Sequence, residues 1–350
     1  MDKLKYMALA DSLRAAILSG KYAHGEKLPS ENELCDRFQF SRQTVRKAIG
    51  MLDAEGLTER VRGSGTYVKN DLSRRADMSS VAVVMTYIGE YILPTILSGI
   101  QEVLSENGYT PMIFATNNRV DNERRILEDL LHKPICGLII EGTQSTLPNP
   151  NLDLYQKFEA CGIPVLFLNS FYPELGDSVY VVTDDCKGGR IAAEQLIKRG
   201  HKKIAAIFKI DDRQGAQRYK GYMNALIEHG LDMPDDNILW YQTKLRKEII
   251  EQFSLSTIKG CTAVVCYNDE VATQVLNLLL DHGISVPEDV AIISFDNSSM
   301  ASVAAVKIAS LDHPKKRMGI EIGRRIIKMM NGEQQSPLIL DWGASEGESI

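Results

Sequence analysis

LPSENELCDRFQFSRQTVRKAI, residues 28–49, is the stretch that decides the first fold in the chain. Ser30 stands just ahead of an apolar-periodic run and Glu33 follows three residues later. At that spacing an N-cap hydroxyl and a carboxylate each satisfy a backbone N–H of the other. The spacing predicts a helix to about Phe38. Ser41 is a second N-cap, and its helix continues to about Ala54, where Gly56 stops it. At about 100° per residue, Val45, Ala48, Ile49 and Leu52 share one face of that helix. Arg42, Gln43, Arg46, Lys47 and Gly50 share the opposite one. The apolar stripe can pack, and the cationic face is left for a ligand.

Working outward, a helix is predicted over residues 6–18, ending at Ser19-Gly20. On the other side, residues 58–68 alternate as a β-hairpin with Arg62-Gly63-Ser64-Gly65 at its turn. Three short helices and a basic hairpin predict an α+β winged helix-turn-helix over residues 1–69, a fold whose last helix enters the DNA major groove. Charge agrees: the first 70 residues hold 12 Lys+Arg and 9 Asp+Glu, the rest 28 and 37. A small basic end on an acidic chain suits one module for a polyanion and another for something else.

LPSENEL (28–34), SRQTVRKAI (41–49), EGL (55–57) and GSGTYV (63–68) together resemble the DNA-binding signature of the gluconate-repressor-type (GntR) regulators. The resemblance implies base and phosphate contacts at Arg42, Gln43, Thr44 and Arg46 on the recognition helix. On the wing it implies Arg62, Gly63 and Gly65. Lys5 near the first helix and Lys47 would add phosphate contacts, which give salt-dependent affinity without reading sequence. One departure is Asn32, where that family often carries Arg.

Composition bounds the remainder. In 350 residues, 44% hydrophobic and 25% charged side chains are ordinary globular values that exclude disorder and collagen-like repeats. No apolar run approaches the ~18–20 residues of a membrane helix, and the charged first twenty residues do not read as a secretory signal. The six cysteines show neither C-x-x-C pairing nor metal-ligand spacing with the six histidines, so they read as reduced thiols of a cytoplasmic protein with no metal site.

Residues 70–80 are polar and aperiodic and read as a linker. Beyond it, strands at 81–85, 110–115, 137–140, 165–168, 180–182, 204–208, 262–266 and 290–294 alternate with helices. These are at 93–107, 122–132, 153–161, 188–199, 214–228, 270–281 and 314–330. Such alternation over 81–350 predicts an α/β domain of parallel sheets covered on both faces. Ligands of such sheets bind beyond the carboxyl ends of the strands. The polar residues there are Glu90, Tyr91, Glu141, Asn169, Asp184, Asp185, Arg218, Asn268-Asp269, Asp296-Asn297 and His313, with Phe171 and Tyr172 nearby. Any one Asp or Asn reads equally well as a helix cap. Together, acids, amides and an Arg beside aromatics suit a neutral polyhydroxylated ligand, each hydroxyl wanting a donor and an acceptor. No G-x-G-x-x-G follows the first strand and no phosphate loop occurs, so no cofactor is expected. Asp211-Asp212 and Asp235-Asp236 read as turn residues.

ERRILEDLL (123–131), GLII (137–140), GIPVLFLN (162–169), DDCKGGRIAAEQLIKRGHKKIA (184–205), RYKGYMNAL (218–226), CYNDEVA (266–272) and SVPEDVAIISFDN (285–297) resemble the effector domain of the lactose/galactose-repressor (LacI/GalR) family, similar to periplasmic sugar-binding proteins. The resemblance implies a two-lobed domain with ligand contacts at Asn169, Asp184, Arg218, Asn268, Asp296 and His313. The pairing of the two modules, with TYIGEYILPTI (86–96), TNNRVDNERR (116–125) and CYNDE (266–270), resembles the arabinose-utilisation repressors. The C-terminus departs from the usual Arg-Ser or Arg-Gly-Ser ending, reading WGASEGESI.

These readings join into one expectation: a homodimeric repressor on pseudo-palindromic operator DNA, released when a sugar, L-arabinose first, closes the lobes. A different pentose or hexose, a co-repressor sign, and a non-transcriptional sugar-binding protein are the alternatives. An enzyme would need an activated base or nucleophile, and no triad, metal or cofactor signature is present in the sequence.

Overall fold

The structure, a computed structural model, describes residues 2–18, 21–23, 25–54, 57–69, 79–89, 91–232 and 234–350. The expected helix stops at Ser19-Gly20 and Gly56, the site residue Glu90, and residues 70–78 of the linker lie outside the described residues.

Ser30 Oγ accepts from the Glu33 N–H at 3.3 Å and the Glu33 carboxylate accepts from the Ser30 N–H at 2.7 Å. This reciprocal cap starts α2 (Glu31–Phe38), between α1 (Asp2–Leu18) and α3 (Arg42–Ala54). Ser41 caps α3 through the Thr44 N–H at 3.2 Å. Leu9, Leu13 and Ile17 of α1 and Leu34 of α2 close over Val45, Ala48, Ile49 and Leu52. The antiparallel hairpin β1 (Thr58–Val61) and β2 (Gly65–Val68) completes the winged helix, with Gly63 and Gly65 at positive φ in the turn.

Two six-stranded sheets follow. The first lobe holds β3 (Ser80–Met85), β4 (Thr110–Ala115), β5 (Gly137–Glu141), β6 (Val165–Leu168) and β7 (Val179–Thr183), covered by α4 (Leu93–Glu106), α5 (Val120–Leu130) and α6 (Leu152–Ala160). Ser80, the last residue of the expected linker, already pairs with Thr110. The second lobe holds α7 (Asp185–Lys198), β8 (Ile204–Lys209), α8 (Arg213–Glu228), β9 (Ile238–Tyr241), α9 (Arg246–Ile258), β10 (Ala263–Cys266) and α10 (Asp269–Asp281). It continues with β11 (Ala291–Asp296), α11 (Ser299–Val303) and β12 (Ala309–Asp312). The chain then returns to the first lobe as α12 (Lys315–Met330), packed on α4, and as β13 (Leu338–Leu340), paired with β7. Gly99 of α4 permits that helix contact, because a Cβ there would lie 2.7 Å from the Lys316 carbonyl. A last passage brings β14 (Ser345–Glu346) to the second sheet, antiparallel to β12. The atypical C-terminus is therefore stitched into the sheet edge, with Ser349 bonded to both Ile292 and Ala309.

The sheet orders are β13-β7-β6-β5-β3-β4 and β14-β12-β11-β10-β8-β9, parallel apart from β14. Strand direction of travel reverses between β3 and β5 in one lobe and between β8 and β10 in the other. Open parallel sheets bind ligands outside such switch points.

Candidate functional sites

On the head, Arg42, Gln43, Arg46 and Lys47 are exposed along α3, and Lys5, Arg62, Gly63 and Gly65 are exposed around it. Thr44 differs: it is buried, its hydroxyl 2.8 Å from Ser41 Oγ, so it holds the start of the recognition helix instead of facing outward. Asn32 has a partner of its own, accepting from Arg42 Nη2 at 2.8 Å. Arg46 Nε donates to Glu31 at 2.8 Å, and Lys47 sits over the Tyr6 ring at 5.6 Å. Exposed pairs of this kind are worth about 0–1 kcal/mol, so phosphates and base edges can displace them at small cost.

Between the lobes lies a cavity of about 620 Å³. Its walls come from the two switch points: Thr86, Tyr87, Glu141 and Gly142 on one side, Lys209, Asp212, Tyr267 and Asn268 on the other. The lobes are closed on each other. The Tyr91 hydroxyl donates to Asp296 Oδ2 at 2.7 Å and accepts from the Asp269 N–H at 3.1 Å. Asn118 Nδ2 reaches Asp211 Oδ2 at 3.2 Å, and the Arg213 N–H donates to Ser145 Oγ at 3.0 Å. Burial, then the neighbouring Asp296 and Asp269, push the Tyr91 pKa well up, so this hydroxyl stays a donor.

Three cations line the cavity, and among the described residues each is paired. Lys209 Nζ lies 3.0 Å from Asp212, and Arg246 pairs with Glu270. Arg218, 1% exposed, donates from Nε to Asp185 at 2.9 Å and lies 3.6 Å from Asp296. Burial alone would favour neutral Arg218 and Lys209, but their carboxylate neighbours hold both pKa values above the ordinary range. Asp185 is pushed up to about 7 by burial, against the pull of Arg218. Glu141 accepts from the Thr86 N–H at 2.8 Å and from Asn169 Nδ2 at 2.8 Å. Among the described residues, Asn169 Oδ1 and Asp296 Oδ1 are buried and take no hydrogen bond, although Asp296 Oδ1 faces the Arg218 guanidinium at 3.6 Å. A wall whose cations are all paired among the described residues, and which carries amides, carboxylates and tyrosine hydroxyls, suits hydroxyl groups and offers no free cation to an anion.

Of the effector residues expected from sequence, the cavity gathers Tyr91, Glu141, Asn169, Arg218, Asn268 and Asp296. Three others lie apart from its walls. Asp184 caps α7, accepting from the Lys187 N–H at 2.9 Å, Asp185 lies behind Arg218, and His313 is buried against Trp342. All three stand where the chain passes between lobes. Tyr172 is in the first-lobe core, its hydroxyl on Glu123, and Phe171 stacks on Tyr180 at 3.8 Å. The rings that do line the cavity are Tyr87, Tyr91, Tyr241 and Tyr267. Lys209, Asp212 and Arg246 were missed. Asp211-Asp212, read as a turn, is buried, and Asp212 caps α8 while accepting from the Tyr267 hydroxyl at 2.5 Å. A polar residue right after the strand at 204–208 was the available signal.

Comparison with known proteins finds relatives for both parts of the chain. Residues 5–68 match the gntR family of bacterial regulatory proteins, and residues 193–340 match a periplasmic binding protein-like domain. The chain is 36% identical to the arabinose metabolism transcriptional repressor of Halalkalibacterium halodurans, over 95% of this chain and 90% of that one. The repressor of the same name from Geobacillus stearothermophilus is also 36% identical, over 95% and 92%. Among solved structures, a complex of the transcriptional regulator CelR with cellobiose superposes with a TM-score of 0.70 at 24% identity, over 89% of this chain and 92% of that one. The transcription regulator CcpA of Lactococcus lactis gives 0.69 at 25%, over 78% and 99%. No helix among the described residues is long and apolar enough to cross a membrane.

Proposed function

As the chain belongs to the family of the arabinose metabolism transcriptional repressors, we propose that it is a homodimeric repressor that leaves its operator when L-arabinose occupies the interlobe cavity. Two heads would place their α3 helices in successive major grooves, Arg42 and Arg46 reading base edges. Gln43, Lys47, Lys5 and the wing residues Arg62, Gly63 and Gly65 would fix the register on phosphates. In the cavity, Tyr91, Glu141, Asn169, Arg218, Asn268 and Asp296 would take the sugar hydroxyls, joined by Lys209 and Asp212. Sugar bridging two lobes sets their angle and so the spacing of the two heads. Linkage then requires operator DNA to weaken sugar binding by the same factor, typically worth about 1–3 kcal/mol.

The observation that carries the sugar reading is the cavity's charge state. Every lining cation is paired among the described residues, beside amides, carboxylates and tyrosine hydroxyls, which favours a neutral polyol over a phosphorylated or acidic ligand. L-Arabinose titrated into the protein–operator complex should release the DNA. Retention at saturating sugar would overturn induction, and binding of a different neutral sugar in a thermal-shift panel would reassign the ligand.

A further inference from the structure

We infer that Trp342 is the positioning residue through which Arg218, at the cavity floor, passes ligand occupancy to the hinge. The inference rests on the sugar-sensing reading above.

The lobes are joined by three passages of chain. One leads from β7 to α7, one from β12 to α12 and one from β13 to β14. They run side by side, the Asp184 N–H donating to the Leu340 carbonyl at 2.9 Å and the Gly343 N–H to that of Asp312 at 2.8 Å. Trp342 lies on the third passage and touches the other two. The His313 ring, on the second, meets the indole edge-on at 5.3 Å and 82°. Gly188, in the first turn of α7, lies so close that a Cβ there would be 2.6 Å from the indole nitrogen. From the cavity side, the Arg218 guanidinium sits 4.9 Å from the indole ring while its Nε holds Asp185 at the start of α7. One buried side chain therefore contacts the ligand-lining arginine and every segment about which the lobes turn.

The chemistry of that contact suits a bearing. Among the described residues, the indole nitrogen of Trp342 and both ring nitrogens of His313 are buried without hydrogen-bond partners. Directional bonds would have to break as the lobes rotate. Ring-on-ring and cation-on-ring contacts keep most of their attraction while sliding. A filler of the second-lobe core would need the same volume but would leave the coupling alone.

The test is made on the full chain, measuring L-arabinose affinity with and without operator DNA. The ratio of the two is the coupling, expected at about 5- to 150-fold in the unaltered protein. Trp342→Phe keeps a ring and should retain that ratio within about threefold. Trp342→Leu should bring it below about twofold while changing sugar affinity of the DNA-free protein by less than about threefold. If Trp342→Leu does not fold, Gly188→Ala, which presses α7 against the indole without entering the cavity, should lower the ratio at least about threefold. An unchanged ratio in Trp342→Leu or, in its place, Gly188→Ala overturns the inference. So does loss of DNA-free sugar affinity in both Trp342 variants, the mark of a structural role. An unaltered protein in which sugar and operator bind independently overturns the sugar-sensing reading as well, which keeps the two failures distinct.

Discussion

Arg46 in the head and Arg218 beneath the cavity are the same side chain put to opposite physical uses. Arg46 stands 64% exposed beside Glu31, in a pair that water and salt weaken. Arg218 is sealed between Asp185, Asp296 and three aromatic rings. An exposed cation can be handed to DNA without disturbing the fold. A buried one is part of the fold, and whatever it senses is transmitted through its neighbours. The head should thus lose function without losing stability, and the effector domain should lose both together.

The largest effect is expected from Arg218→Met. Breaking a buried ion pair on one side typically costs about 3–5 kcal/mol, because the carboxylates left behind lose their buried partner. Denaturant unfolding of the effector domain should register a loss of that size along with the loss of sugar binding. A cost under about 1 kcal/mol would mean that Asp185 and Asp296 do not depend on the guanidinium, and the contrast with Arg46 would fall.

Arg46→Ala comes next. Losing a good arginine contact to a base edge is worth about 1–3 kcal/mol of discrimination, so specific operator binding should drop by roughly five- to 150-fold in a gel shift. The thermal transition should stay in place. Unchanged operator affinity would remove Arg46 from the reading surface. Ser30→Ala separates cap from charge within the head. It removes the acceptor for the Glu33 N–H and should cost about 1 kcal/mol in head stability, more than removing any surface ion pair there.

The smallest effect is a change of pH profile. Burial, then the charges of Arg218 and Lys315, lower the His313 pKa well below its usual 6.5. As pH falls through 6.5 the unfolded chain takes up a proton that folded His313 refuses, so this contribution to stability is full above that pH and lost below it. His313→Phe preserves a ring against Trp342 and should flatten the acid side of the melting-temperature profile. A profile with the same acid slope would mean that the ring titrates normally in the folded protein.

Much of this was legible in the sequence, and the exceptions have physical causes. The recognition helix was readable because Val45, Ala48, Ile49 and Leu52 all lie on its buried face. Thr44 was misplaced because residue type does not tell whether a hydroxyl three positions after an N-cap turns inward to that cap. Helix α9 went unread for a sharper reason. It buries Ser254 and Thr257 while Phe253 stays exposed, so its pattern contradicts its packing. Strand β12, ASLD, is short and half polar, and β13 and β14 depend on partners far away in the chain. The cavity was half legible. Strand ends flagged Glu141, Asn169 and Asp296, but only the order of strands in the sheets singles out the two switch points, and with them Lys209 and Asp212.

The return of α12 and β13 to the first lobe also bears on how the molecule is made. On the ribosome, at about 5–20 residues per second, the lobe begun first must wait roughly ten to thirty seconds for its last helix and edge strand. Throughout that interval the apolar flank of α4 and the open edge of β7 are bare, the kind of surface on which nascent chains aggregate and chaperones act. The second lobe lacks less, since its late pieces are Trp342 and the short edge strand β14 with the residues after it, but these arrive last of all.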